Sequence, residues 1–333
     1  MLCQPAQERR DCSIRHPEST FLYDLVKADK EDQFFYTSSG AEAIQQVLWS
    51  VFLERSRKEG KCHFVTTSLE DAPTLLGMKR LEELGCFIKV ANDYRLEDLI
   101  NPRTALVSVS LAQGLTGEIH SLEEISKMCK EKDVLLHVDA TYAVGKIPLQ
   151  FELADYLTFS GDRMHGPKSS GALFAKKDRP LTPLILGKDL DTASLAALNV
   201  AAQQSSLSMM RMGLEVARLR NRLEQALLEQ IEGASVLFSD RLRLPNVACL
   251  SFPRVHQEAL LYALERKNVQ ATIGGKTHPH LHRLLSLAGF DERTAASAVS
   301  FSLSRKTTAE EIEEAIQRIV DAVDSLQHCA SYL

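Results

Sequence analysis

No stretch of the sequence reaches the roughly 18 consecutive apolar residues that a membrane span requires, so no membrane-spanning helix is expected. Surplus positive charge is missing too. The 39 Lys and Arg fall short of the 44 Asp and Glu, leaving a formal net charge of −5. On bulk charge that excludes a nucleic-acid or membrane-surface protein. The polar opening MLCQPAQERR lacks the apolar core of a secretory signal. Paired cysteines are also absent. Cys3, Cys12, Cys62, Cys86, Cys129, Cys249 and Cys329 are scattered singly, without the close spacing of a zinc or redox motif. Such thiols suit a reducing compartment, so a cytoplasmic protein with unpaired cysteines is expected.

What is present is ample core material. The chain has 333 residues, of which 44% are hydrophobic, enough for roughly two domains. Apolar runs of strand length alternate with helix-period segments. Strands are expected at Phe34–Thr37, His63–Thr67, Cys86–Val90 and Ala105–Ser110, with helices from Thr37 to about Arg57, Pro73–Leu84 and Leu122–Lys132. That alternation argues an α/β fold with a mostly parallel sheet sandwiched by helices. A long amphipathic segment from about Ser205 to Glu232 leads to a smaller α+β region. Its expected elements are a strand in Pro245–Phe252, a helix Gln257–Lys267, a strand Val269–Ile273 and a last helix Ala309–Leu326. The expected organisation is a segment 1–32, a large domain 33–205, a bridging helix 206–232 and a small domain 233–333.

The richest stretch runs from Leu135 to Lys177. Three buried strands are expected, Leu135–Val138, Tyr156–Phe159 and Gly171–Ala175. Asp139 and Ser160 stand at the carboxyl ends of the first two. Between the last two lies Ser160-Gly161-Asp162-Arg163-Met164-His165-Gly166-Pro167-Lys168. Ligands in open α/β sheets sit beyond the carboxyl ends of strands, so the site is expected here. Thr37-Ser38-Ser39-Gly40-Ala41-Glu42 opens a helix whose N–H groups suit either an anion or an ordinary serine cap.

These residues resemble the class V aminotransferases, and within them the cysteine desulfurases, fold-type I enzymes that use pyridoxal phosphate. His137-Val138-Asp139-Ala140, Ala143-Val144-Gly145-Lys146, Asp155, Ser160 and Gly166-Pro167-Lys168 match that family's motifs in order. The resemblance spans roughly residues 33–325. It implies that Asp139 faces the cofactor's pyridine nitrogen and that Ser160 touches its phosphate. It also implies a Gly40-Ala41 phosphate cradle, cofactor-facing positions at Asp71, Tyr142 and Arg163, and a homodimer.

The chemical positions depart from the pattern. Arg163 stands where the family has its Schiff-base lysine, and Asp162 replaces the preceding histidine. Arginine effectively never loses its proton, so it cannot attack an aldehyde. Asp71 replaces the ring-stacking histidine, Tyr142 the glutamine, Ala41 the phosphate-binding threonine, and Ser300 the substrate-gripping arginine. Tyr142 reads either as a hydrogen-bond donor to the cofactor or as an aromatic plug. Asp139 is expected to find another cation, Arg163, with Asp71 or Asp162 joining; the rival is a local Asp162–Arg163 pair. The family's opening segment has no counterpart, so the N-terminus is expected to be shortened. In the subunit-crossing loop only Asn199 is kept. The loop Gly274–His282 holds no cysteine for persulfide chemistry. His278, His280 and His282 lack a completing carboxylate or thiol, so a helix start is favoured over a metal site.

The expectation is therefore a degenerate desulfurase-like protein, inactive as a conventional desulfurase and kept for a structural or regulatory role. Pyridoxal phosphate is implied by resemblance alone, without a covalent link. A protein partner would be a desulfurase or an iron–sulfur assembly component. The alternatives are altered pyridoxal phosphate chemistry, noncovalent or through Lys168 or Lys276, and a true desulfurase.

Overall fold

The computed structural model describes residues 19–330 except 94, 188–190 and 277. Cys3, Cys12 and most of the expected N-terminal segment lie outside the described residues. The chain forms two compact units, one of residues 19–68, 73–111 and 121–207, the other of residues 69–72, 112–120 and 208–330.

In the first unit, strands β1 (Gln33–Thr37), β2 (His63–Thr67), β3 (Phe87–Ala91), β4 (Thr104–Ser110), β5 (Leu135–Asp139), β6 (Tyr156–Ser160) and β7 (Gly171–Ala175) form one sheet. Its order is β1-β7-β6-β5-β4-β2-β3. All residues of β2, β4, β5 and β7 are buried, as both faces are covered by other elements. Pairs from β6 through β3 are parallel, while β7 runs against β1 and β6. Gly171 at the start of β7 registers with both Thr37 and Ser160. The ends of β1, β5 and β6 therefore open at the same sheet edge. The loops carrying Ser39, Tyr142 and Arg163 converge there.

Helix α2 (Gly40–Val51) packs Ile44, Val47, Leu48 and Val51 into the core. It continues through a π-turn, Phe52–Ser56, to Gly60, whose left-handed φ of 75° ends it. An aromatic cluster fills the other flank: the Phe34 and Phe174 rings lie 5.0 Å apart, and Tyr23 meets Phe174 edge-on at 5.3 Å. Tyr23 comes from helix α1 (Thr20–Val26), whose Leu22, Leu25 and Val26 are buried. Each such burial is worth about 1.5–3 kcal/mol. The segment 1–32, for which no element was expected, thus contributes a helix.

Three other expectations change. The segment around Asn199, expected as a crossing loop, is a helix, Thr192–Leu207. Its alanines and other small residues favour helix without marking an apolar stripe. The long amphipathic segment is broken at its start by a π-turn, Met212–Val216, before the helix Ala217–Gln230. Val269–Ile273 is not a strand; Thr272 alone bridges to Ser300.

The second unit has a three-stranded antiparallel sheet, β8 (Ser235–Val236), β9 (Val247–Ser251) and β10 (Ala298–Ser302), with β9 central. Leu223, Leu227, Leu250, Phe252, Ile319 and Val323 belong to its core. The last helix, Ala309–Ala330, opens with a reciprocal cap: Glu311 N–H donates to Thr308 Oγ1 and Thr308 N–H to Glu311 Oε2. A near-buried ion cluster lies against the helix Ala217–Gln230. Arg243 grips Glu224 through two nitrogens at 2.7 and 3.2 Å, and Arg220 Nε lies 4.0 Å from the same carboxylate.

Candidate functional site

The first unit brings Gly40, Ala41, Asp139, Tyr142, Ser160 and Arg163 to the loops at one sheet edge. Asp139 ends β5 and is 7% exposed. Its Oδ1 accepts the Thr141 N–H at 2.9 Å, turning the chain out of the strand. Beneath it, His137 is fully buried between the Ser108 and Thr158 hydroxyls, at 2.8 and 2.9 Å. Burial pushes this imidazole down to about 3, so it stays neutral and lends Asp139 no positive charge.

Ser160 ends β6, and the chain turns at once through Gly161–Met164 into His165, which is left-handed with φ 65°. Only glycine fits position 161, because an added Cβ would run into Ser170 Oγ and Leu198. The turn exposes Asp162 and Arg163 side by side. Ser160 Oγ donates to Asp162 Oδ1 at 2.7 Å. Arg163 Nε lies 3.8 Å from Asp162 Oδ2, and the guanidinium sits 5.3 Å from the centre of the Tyr142 ring. The adjacent Asp162 thus lies beside Arg163, as the local pairing expects. Tyr142 serves as the platform for the guanidinium.

Lys146, of the motif Ala143-Val144-Gly145-Lys146, has a defined place in the structure. Its Nζ donates to the Arg163 carbonyl at 3.0 Å, tying the loop after β5 to the Arg163 turn. Burial, and then the Arg163 charge, lower it to about 8, with Asp162 opposing. Lys168 and Lys276, the lysines weighed from sequence, are both exposed.

At the start of α2, Ser39 caps the helix, its Oγ accepting the Glu42 N–H at 3.1 Å. Glu42 Oε2 in turn accepts the Ser38 N–H at 2.7 Å and the Ser38 hydroxyl. Gly40 abuts β6, since a Cβ there would lie 3.1 Å from that of Ser160. Ala41 is exposed in the first turn and offers no hydroxyl.

Asp71 and Ser300 belong to the second unit. His278 Nδ1 lies 3.0 Å from Asp71 Oδ2. His278 of the loop Gly274–His282 thus pairs with Asp71, the residue at the family's ring-stacking position. Among the described residues no cluster of His, Cys, Asp and Glu could hold a metal. Ser300 is fully buried on β10, and its hydroxyl finds no hydrogen-bond partner. The loop before the helix Leu281–Leu287 turns through Gly274 and Gly275, at φ 80° and 93°. Leu281 N–H donates to the Ile273 carbonyl at 2.8 Å, closing it tightly. Elsewhere, burial pushes the Cys129 and Cys249 thiols up to about 12, so neither is a thiolate at neutral pH.

These residues do not fit a covalently held pyridoxal phosphate. The side chain where the family resemblance expects the tether is a guanidinium, and the Ser160 proton is given to Asp162.

A seven-stranded sheet with one reversed strand, polar loops at its carboxyl edge and a small α+β unit define a fold-type I pyridoxal-phosphate transferase fold. The aminotransferase class-V family model matches residues 21–213, and the chain belongs to that family. It is 31% identical over 327 residues to a cysteine desulfurase of Nostoc sp. (strain PCC 7120), covering 91% of this chain and 80% of that protein. It is 28% identical to a cysteine desulfurase of Enterobacter agglomerans, covering 92% and 81%. A solved NifS-like protein superposes with a TM-score of 0.83 at 25% identity, over 92% of this chain and 87% of that one. The Escherichia coli cysteine desulfurase CsdA shares the fold, with a TM-score of 0.78 at 15% identity, over 98% and 88%. Among the described residues no helix is long and apolar enough to cross a membrane.

Proposed function

We propose that this protein keeps the desulfurase fold without conventional desulfurase chemistry, and acts as a structural or regulatory homodimer in the cytoplasm. Its partner would be a true desulfurase or an iron–sulfur assembly component. The observation that carries the reading is the Arg163 side chain, paired with Asp162 over the Tyr142 ring at the tether position. A Schiff base needs an amine that can become neutral, and a guanidinium does not. The absence of cysteine from residues 274–282 removes the second requirement, a sulfur nucleophile. In this reading any pyridoxal phosphate is held noncovalently.

A second reading, altered pyridoxal phosphate chemistry through another lysine, draws support from Lys146. At about 8 its amine is partly neutral at physiological pH, unlike an ordinary lysine. One experiment separates the two. The purified protein is incubated with pyridoxal phosphate, reduced with borohydride and mapped by mass spectrometry, with sulfide release from cysteine assayed in parallel. The first reading expects no pyridoxyl-lysine and no sulfide. An adduct at Lys146, Lys168 or Lys276 replaces it with the second, and sulfide release restores a working desulfurase. Light scattering on a sizing column reads the dimer.

A further inference from the structure

We propose that Asp162 is the specificity-determining residue of this site: a built-in anion that excludes phosphate-bearing ligands where the β6 turn meets the start of α2. Ser160 Oγ donates to Asp162 Oδ1 at 2.7 Å. A hydroxyl has one proton to give, so Ser160 donates to an incoming phosphate only by giving up its bond to Asp162. Ser160 is the residue against which α2 begins, with a Gly40 Cβ placed 3.1 Å from its own. The residue before that helix's cap is matched to the chain's own carboxylate as well. Ser38 gives both its N–H and its hydroxyl to Glu42 Oε2.

The nearby cation is offset in the same way, since Arg163 Nε lies 3.8 Å from Asp162 Oδ2. A helix start attracts anions through its unsatisfied N–H groups and partial positive charge. Here Glu42 supplies negative charge in the first turn, and Asp162 holds a second carboxylate on the Ser160 hydroxyl that the helix start abuts. A phosphate would have to displace a hydrogen bond and sit beside like charge, which disfavours it twice. Asp162 is chemically suited to this role because it needs no ligand, metal or partner to act.

The inference rests on the proposed absence of a covalent tether at position 163, and its test does not depend on a lysine tether. Asp162→Asn keeps size and removes charge, and Asp162→Glu keeps the charge. The side chain is 37% exposed, so both variants are expected to fold, which a urea midpoint verifies. Each full-length protein is titrated calorimetrically with pyridoxal phosphate, with pyridoxal and with inorganic phosphate. Asp162→Asn is expected to bind pyridoxal phosphate at least tenfold more tightly than the wild type, with pyridoxal unchanged and Asp162→Glu like the wild type. Equal affinity in wild type and Asp162→Asn, including no binding by either, overturns the proposal, as does an equal gain for pyridoxal. A pyridoxyl-lysine in the wild type would defeat the reading of Arg163, whereas the ratio of affinities reports on Asp162 alone.

Discussion

The Arg163 guanidinium carbon lies 5.3 Å from the centre of the Tyr142 ring. That is within cation–π range, worth about 0.5–1 kcal/mol at an exposed site. The two residues replace the amine and the amide of the family pattern, and they meet each other. In the proposed reading this contact closes the site around a cation that cannot become a nucleophile.

Arg163→Lys tests this closure. Combined with Asp162→Asn, it is expected to give a borohydride-stable pyridoxyl adduct at position 163, in higher yield than Arg163→Lys alone. Sulfide release stays at background in both, because residues 274–282 carry no thiol. Mass spectrometry reads the adduct and a colorimetric assay the sulfide. Sulfide from either variant would show that a cysteine elsewhere can serve.

Glu224→Ala breaks the near-buried cluster of the second unit. Glu224 and Arg243 side chains are each 9% exposed, and their contact is bidentate. Removing the acid leaves Arg243 and Arg220 without their countercharge, at a cost of about 3–5 kcal/mol. Urea denaturation measures the loss, and a change under 1 kcal/mol, roughly that of an exposed pair, would contradict the burial argument.

Two histidines set an acid limit on stability. Burial holds His137 down to about 3. Burial, then the Arg241 charge, does the same for His120, also to about 3. In the unfolded chain both return to about 6.5. Below that pH the unfolded state binds more protons. The stability contribution is complete above about pH 6.5 and is lost as pH falls towards 3, by up to about 1.4 kcal/mol per pH unit for each histidine. Urea midpoints at pH 7.5, 6.5 and 5.5 check the slope; a flat profile would remove the role given to these rings.

Cys129 and Cys249 are expected to resist alkylation in the folded protein. Both thiols are buried and raised to about 12. Peptide mapping after iodoacetamide should find them unlabelled natively and labelled in denaturant. Labelling at the rate of an exposed thiol would show that the core opens readily.

The strands of the first unit were legible because most are short apolar runs bounded by polar turns, and buried strands need little else. The start of α2 was legible through Ser39 and Glu42, and the last helix through Thr308 and Glu311, because caps act within one turn of chain. The helix Thr192–Leu207 was not legible. Its many small side chains carry helix propensity without an apolar stripe, and the family pattern suggested a loop. The roles of Lys146 and Asp162 were hidden because their partners, the Arg163 carbonyl and the Ser160 hydroxyl, are contacts set by turn geometry rather than by residue type.

From sequence alone came the family, the sheet, and the chemical fact that position 163 holds a guanidinium rather than an amine. That is a property of side-chain identity and needs no coordinates. Tertiary structure alone decided where the charge goes. Tyr142 follows β5 and Arg163 follows β6, and the parallel pairing of those strands sets both loops at one edge. Contacts between loops depend on strand register and turn shape, which no local run of residues encodes.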